Sequence, residues 1–351
     1  MSLGSYLRTI QPHLGAALVP PEAWSRLQAL GDFLPPFSKT ILECRLDARN
    51  AQVDLSVNLP RFMPPFDDRL TAEPLWQHVE ALGRTWAEAA TTVCAFVREM
   101  WLEFDVDLGS SVLPPPNVFF ALERLPGVRE RLEGLVGALT GREVCAATSR
   151  TLARVLQTCP TSARVAHVGA MLARGSSLVR LVVADVPADQ FSPWLERAGW
   201  RDTAGGLSAM MGALSPLGDE FYLDIDVGET VCPRVAVECF IKEQPPRGRR
   251  WQALVDDLTS RGLCSSSKGN ALLAWPGWIR ESQCPGLWPE NLQRADRVVG
   301  HTAASVFRRE ISHVKIVYEP GRVVEAKAYL RFRHDWIPYR ALAAAQEKKN
   351  V

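Results

Sequence analysis

The chain has 351 residues, 47% hydrophobic and 23% charged, and its 40 lysines and arginines against 39 aspartates and glutamates leave a formal net charge of +1. That length can bury a large core, the composition is globular rather than disordered, and the even charge offers no bulk attraction to nucleic acid or to an anionic membrane. No apolar run is long enough to span a bilayer, and the opening MSLGSYLRTIQPHLG lacks the apolar stretch of a secretory signal, so a cytoplasmic protein with no membrane or nucleic-acid partner is expected.

In chain order, a helical pattern at 22–30 (EAWSRLQAL) precedes a first strand pair at 40–49 and 51–59, joined tightly enough for a hairpin. Apolar residues spaced by three and four predict one long helix within 75–100. A second pair follows at 101–107 and 117–122, with three successive prolines in its connection that exclude the ladder there. Helices are predicted at about 126–138 and 143–157, then a third pair around the turn ARGS at 173–176. Two further helices, DQFSPWLERAG and GLSAMMGAL, lead to a fourth pair at 221–227 and 234–241. RRWQALVDDLTSRG ends on Gly262 as a C-cap glycine should, KGNALLAWPGWIRES continues with a bend at Pro276, and TAASVFRRE reads as a short helix. The fifth pair is 313–319 and 323–333, around the turn PGR. The tryptophan-rich stretch 273–295 has few basic residues and is expected to form a packed lid or rim.

The same order, helix, helix, strand, strand, thus recurs five times, with its clearest echo between LEFDVD…PPPNVFFAL and LDIDVG…CPRVAVECF. Turns this short force the strands of each pair to be antiparallel. Helices can cover one face of each strand, and closing the sheet removes its edges. The expected fold is therefore α+β: a closed ten-stranded antiparallel barrel ringed by helices. It is expected as a single domain over 1–351, with its core at about 20–335 and a tail at 338–351.

In WLEFDVD, Leu102, Phe104 and Val106 share one face while Glu103, Asp105 and Asp107 share the other. Equivalent polar rows run through Glu43, Arg45 and Asp47, through Tyr222, Asp224 and Asp226, and through Glu325, Lys327, Tyr329, Arg331 and Arg333, with Arg180, His313 and Lys315 on other strands. A solvated face is the other reading of any one row, but recurrence in all five pairs favours a polar barrel interior. Eight cysteines without C-x-x-C spacing, beside six histidines, predict reduced, mostly buried thiols rather than a zinc site. No phosphate-binding glycine loop or nucleophile elbow is present.

This organisation resembles the ABBA-type aromatic and indole prenyltransferases over about residues 20–335. HVKIVYE and EAKAYLRFR look like the family's late strands, which alternate basic residues with tyrosine. The resemblance implies an allylic isoprenoid diphosphate held by Lys315, Lys327, Tyr329 and Arg331, an aromatic, peptide or other nucleophilic acceptor, and Glu103 as base or cation stabiliser. The chain differs in having only five tyrosines and in its many interior carboxylates.

From the residues themselves, Lys327, Tyr329 and Arg331 alternate on one strand at about 7 Å intervals, and such donors suit a diphosphate in a low-dielectric cavity. Arg45 and Arg180 are further inward cations for substrate. Trp101 and Tyr222, with Phe240, offer ring faces to an allyl cation. Glu103 and Asp224 are the candidate catalytic carboxylates. No cofactor is required, although Mg2+ could accompany the phosphates, with Asp105 and Asp226 as its weaker candidate ligands and no fixed metal motif. A non-catalytic ligand- or partner-binding barrel, or another enzyme chemistry such as metal-assisted hydrolysis, would use the same interior.

Overall fold

The structure, a computed structural model, describes residues 2–341 apart from 38, 63–65, 67, 110–113, 126, 203–204 and 246–247. Most of the expected tail and the centre of the 108–116 connection lie outside the described residues. Eleven strands form one sheet: β1 Lys39–Arg45, β2 Val53–Leu59, β3 Val97–Phe104, β4 Asn117–Leu122, β5 Arg164–Ala170, β6 Val179–Ala184, β7 Glu220–Val227, β8 Val231–Phe240, β9 Gly277–Arg280, β10 Ala303–Glu319 and β11 Arg322–Pro338. β1 to β8 pair in sequence, β8 pairs with β10, β10 with β11, and β11 returns to β1, so ten antiparallel strands close into a barrel. β9 stands outside the ring, paired with Val306–Arg309 of β10.

Alternation puts the apolar side chains on the outer wall of the barrel. Leu42, Leu55, Val57, Leu102, Phe104, Ala328, Leu330 and Phe332 are buried there beneath the helices. The covering helices bury matching stripes: Arg249–Ser260 contributes Trp251, Leu254, Val255 and Leu258, spaced by three and four. After it the chain turns at Gly262, whose φ of +71° costs a residue without Cβ little. The next helix, Ser266–Ala274, is capped by the Ser265 hydroxyl, which accepts from the Lys268 amide.

Three predicted elements differ. The helix expected within 75–100 divides into Pro74–Ala87 and Thr92–Phe96, and strand β3 already begins at Val97. A register shift between Val97 and Glu99 had blurred the strand's two-residue period. The helix expected at 302–310 is strand: residues 303–311 of β10 pair one by one with 330–338 of β11, and this long hairpin overrides local helical spacing. The helical run through Pro276 ends at Ala274, and the next residues form β9. The helix Leu3–Ile10, with Leu3, Leu7 and Ile10 fully buried, was not foreseen. In the tryptophan-rich stretch Trp275 and Trp288 are buried and Trp278 is partly exposed, as expected of a packed rim. No helix among the described residues is long and apolar enough to cross a membrane.

Candidate active site

The inward side chains divide the bore into two adjoining cavities. One, of about 470 Å³, is lined by six basic residues (Arg45, Arg174, Arg180, Arg234, Lys315, Lys327) and six acidic ones (Glu43, Glu103, Asp105, Asp224, Asp226, Glu325). The other, of about 350 Å³, carries the rings of the bore, Trp101, Phe119, Tyr222, Phe240, His167 and His313, beside charged groups that include Lys39, Arg98, Glu99, Glu238 and Arg331; it is called the aromatic cavity below. Glu103, Asp224, Lys315 and Tyr329 line both and form the seam between them.

Ion pairs organise the charged cavity. Glu43 accepts from Lys327 Nζ at 2.9 Å and from the Tyr329 hydroxyl, and lies 3.1 Å from Arg45 Nη1. Burial alone would raise its carboxyl, but Lys327, Arg45 and Lys315, with the Tyr329 hydrogen bond, hold it well below the usual range. Arg45 also meets Asp54 at 2.5 Å and Glu325 at 3.5 Å. Arg180 grips Asp226 with two bonds of 2.8 Å, and Arg174 grips Asp105 at 2.7 and 2.6 Å. At the seam Lys315 Nζ lies 2.6 Å from Asp224 and 3.2 Å from Glu238. These acids keep Lys315 charged despite burial and raise its pKa well above the ordinary lysine value.

Two seam carboxyls move the other way. Burial and the neighbouring Glu43 charge push Glu103 up to about 7, against the pull of Lys315, Arg180 and Arg174. Burial and Glu238 push Asp224 up to about 6. In the aromatic cavity, burial lowers His167 to about 4, and burial with the Lys315 charge lowers His313 to about 3, so both are neutral at pH 7. His313 stacks on Tyr329 at 4.0 Å between centroids, Phe240 lies 4.7 Å from His313, and Tyr222 lies 4.7 Å from Phe240. Phe119 reaches the bore because Gly169 on the paired strand lacks a side chain: a Cβ there would stand 2.3 Å from the phenyl ring.

No protein-family profile and no curated protein sequence matches the chain. Among solved structures, a 6-dimethylallyl tryptophan synthase aligns over 93% of this chain and 94% of its own, with a TM-score of 0.50 and 13% identity. AnaPT from Neosartorya fischeri aligns over 96% of this chain and 93% of its own, with a TM-score of 0.50 and 14% identity. The fold is that of the ABBA-type prenyltransferase barrels. At such identity the likeness is one of fold.

Of the residues expected to form the site, Glu103, Asp224, Lys315, Lys327, Tyr329, Arg45 and Arg180 all line the charged cavity. Trp101 and Tyr222 line the aromatic one, together with Phe240. Arg331 departs from its strand neighbours: it lies in the aromatic cavity, its side chain is 37% exposed, and it bonds Glu310 at 2.7 Å. Strand alternation gave its direction correctly but not its depth along the bore. Asp105 and Asp226 each spend both oxygens on an arginine fork. Among the described residues no three His, Cys, Asp or Glu side chains come together as a metal-ligand set. Arg174 was missed because it sits in the turn between β5 and β6, where alternation carries no signal. Glu43 was visible in its polar row, but nothing local marked it as the hub of three partners.

Proposed function

We propose that the protein transfers an isoprenyl group from an allylic diphosphate to an electron-rich small-molecule or peptide acceptor. The observation that carries this reading is the division of one bore into a cavity of paired cations and carboxylates and a cavity that carries the aromatic rings, meeting at Lys315, Tyr329, Glu103 and Asp224. A prenyl diphosphate has the same two-part character. Its anionic end suits Lys327, Lys315, Arg45 and the two arginine forks, and its hydrocarbon end suits Trp101, Phe119 and Phe240. Donors already fixed in a water-poor cavity stabilise the charge that grows on the departing diphosphate. Ring faces beside the seam stabilise the allyl cation. Glu103 stands where the acceptor's proton has to leave and serves as its base, with Asp224, anchored on Lys315, as a fixed negative charge beside the cation.

One observation favours a second reading, a ligand- or partner-binding barrel without catalysis. The basic side chains of the charged cavity already have carboxylate partners, so the ligand-free cavity is formally neutral. Isothermal titration with dimethylallyl, geranyl and farnesyl diphosphates, with and without Mg2+, separates the two. It should be followed by mass spectrometry of incubations with indoles, phenols and tryptophan- or tyrosine-containing peptides. Binding of at least one donor and a product heavier by its prenyl group is the expected result. If no donor binds, the non-catalytic barrel replaces the transferase.

A further inference from the structure

The charged cavity balances six basic against six acidic side chains before any ligand enters, so a diphosphate ester, with three negative charges at pH 8, leaves it strongly negative unless a proton comes in. The carboxylates differ in how firmly they are held. Asp105 and Asp226 lie in arginine forks, Glu43 has two cations and a hydroxyl, and Asp224 has Lys315 at 2.6 Å. Among the described residues Glu103 has one ion pair, a long one: Arg174 Nη2 lies 3.6 Å away and already bonds Asp105 at 2.6 Å. It also stands at the seam, where the C–O bond of a bound donor has to break.

We propose, resting on the transferase function above, that Glu103 takes up a proton as the diphosphate enters, donates it to the leaving oxygen as the C–O bond breaks, and then, as a carboxylate, accepts the proton the acceptor loses. One proton enters from solvent on donor binding and leaves on the diphosphate; the electron pair of the C–O bond departs with that oxygen. The acceptor's electron pair forms the new bond to carbon, and the proton it sheds reaches Glu103 and returns to solvent on product release.

The surroundings of Glu103 support this role. Glu43 on β1 disfavours its charge, while Lys315 on β10, Arg180 on β6 and Arg174 in the β5–β6 turn favour it. The charged cavity also presents Arg45, Asp105, Asp224, Asp226, Arg234, Glu325, Lys327 and Tyr329, and the adjoining one Lys39, Arg98, Glu99, His167, Tyr222, Glu238, His313 and Arg331. Its ladder partners are uncharged, Ser56 on β2 and Asn117 on β4. Burial and Glu43 already hold the carboxyl at about 7, so added negative charge carries it into the protonated state at neutral pH and above.

Calorimetric titration at pH 8.0 in Tris and in HEPES, whose ionisation heats differ, reads the proton directly. The probes are dimethylallyl diphosphate and isopentenyl diphosphate, which carries the same anion but cannot ionise to an allyl cation. We expect uptake approaching one proton per diphosphate, and affinity that weakens about tenfold per pH unit once the proton must be taken from solution. In Glu103→Gln, uptake should vanish and affinity become independent of pH between 7 and 9. Equal heats in the two buffers for the wild type overturn the proposal, and so does uptake that persists in a folded Glu103→Gln protein. The wild-type measurement decides alone if that variant does not fold. If isopentenyl diphosphate binds with proton uptake but no allylic donor is ever turned over, proton-coupled binding stands and transfer falls. If neither probe binds, both fall.

Discussion

Glu43 sits at the centre of the charged cavity and lends itself to a two-sided test. Glu43→Gln keeps the shape and a hydrogen-bonding group but removes the charge that faces Lys327, Arg45 and the Tyr329 hydroxyl. Glu43, Arg45 and Tyr329 are buried and Lys327 partly so; Arg45 keeps Asp54 and Glu325, so the loss falls mainly on Lys327 and the Tyr329 hydroxyl, an effect worth about 3 kcal/mol. For a chain of this size that lowers the melting temperature by about 4 °C. The same change frees donors for a diphosphate and removes a like charge from its neighbourhood, so donor affinity should rise about tenfold, or 1.4 kcal/mol. Added isopentenyl diphosphate should then raise the melting temperature of the variant more than that of the wild type. The pH dependence has a definite sign. The Glu43 carboxyl is lowered in the fold, so its contribution is fully present above the unfolded value near 4.3 and is lost as pH falls through the depressed folded value. Denaturant titrations should show the gap between the proteins closing by about 1.4 kcal/mol per pH unit below about pH 4. A variant with wild-type melting, or one that binds diphosphate no better, refutes Glu43 as the charge hub of a diphosphate site.

Lys327→Ala and Lys315→Ala should each weaken diphosphate binding by about 1.5–3 kcal/mol in calorimetry, whereas Arg331→Ala, half-solvated on Glu310, should cost clearly less; equal losses would place the anion in the aromatic cavity instead. Gly169→Ala sets a methyl against the Phe119 ring, so we expect a loss of about 1–3 kcal/mol in stability and a selective fall in the use of geranyl over dimethylallyl diphosphate, read by competition between donors. Glu103→Gln should gain stability relative to the wild type as pH rises from about 4 to 7, because the raised Glu103 carboxyl keeps in the fold a proton that the unfolded chain has released. Denaturant midpoints at pH 5 and pH 8 test this, and a constant difference between the two proteins would contradict the raised carboxyl.

The barrel was legible because alternation and helical spacing are local signals repeated five times, and because hairpin turns leave one way to pair their strands. Leu102 and Phe104 had to face helices, so Glu103 had to face the bore. The signal failed where tertiary contacts set the outcome. Val306, Phe307 and Arg308 extend as strand because β9 lies on one side and the end of β11 on the other, neither of which their own sequence announces. Distance along the bore was equally hidden. Lys327 and Arg331 point the same way from one strand, four residues apart, yet one reaches Glu43 and the other Glu310.

That difference in depth gives the many interior carboxylates a physical role. A buried lysine or arginine without a partner would fold back to solvent or destabilise the barrel. Glu43, Asp105, Asp224 and Asp226 prevent this by pairing with Lys327, Arg174, Lys315 and Arg180 and holding them oriented in the ligand-free state. An incoming diphosphate then meets donors that need little reorientation, and it competes with fixed carboxylates rather than with mobile water. The cost is electrostatic, since each retained carboxylate repels the ligand. A cavity built this way gains most from one acidic group weakly enough held to change its protonation, and Glu103 stands at the seam where that change also serves the chemistry.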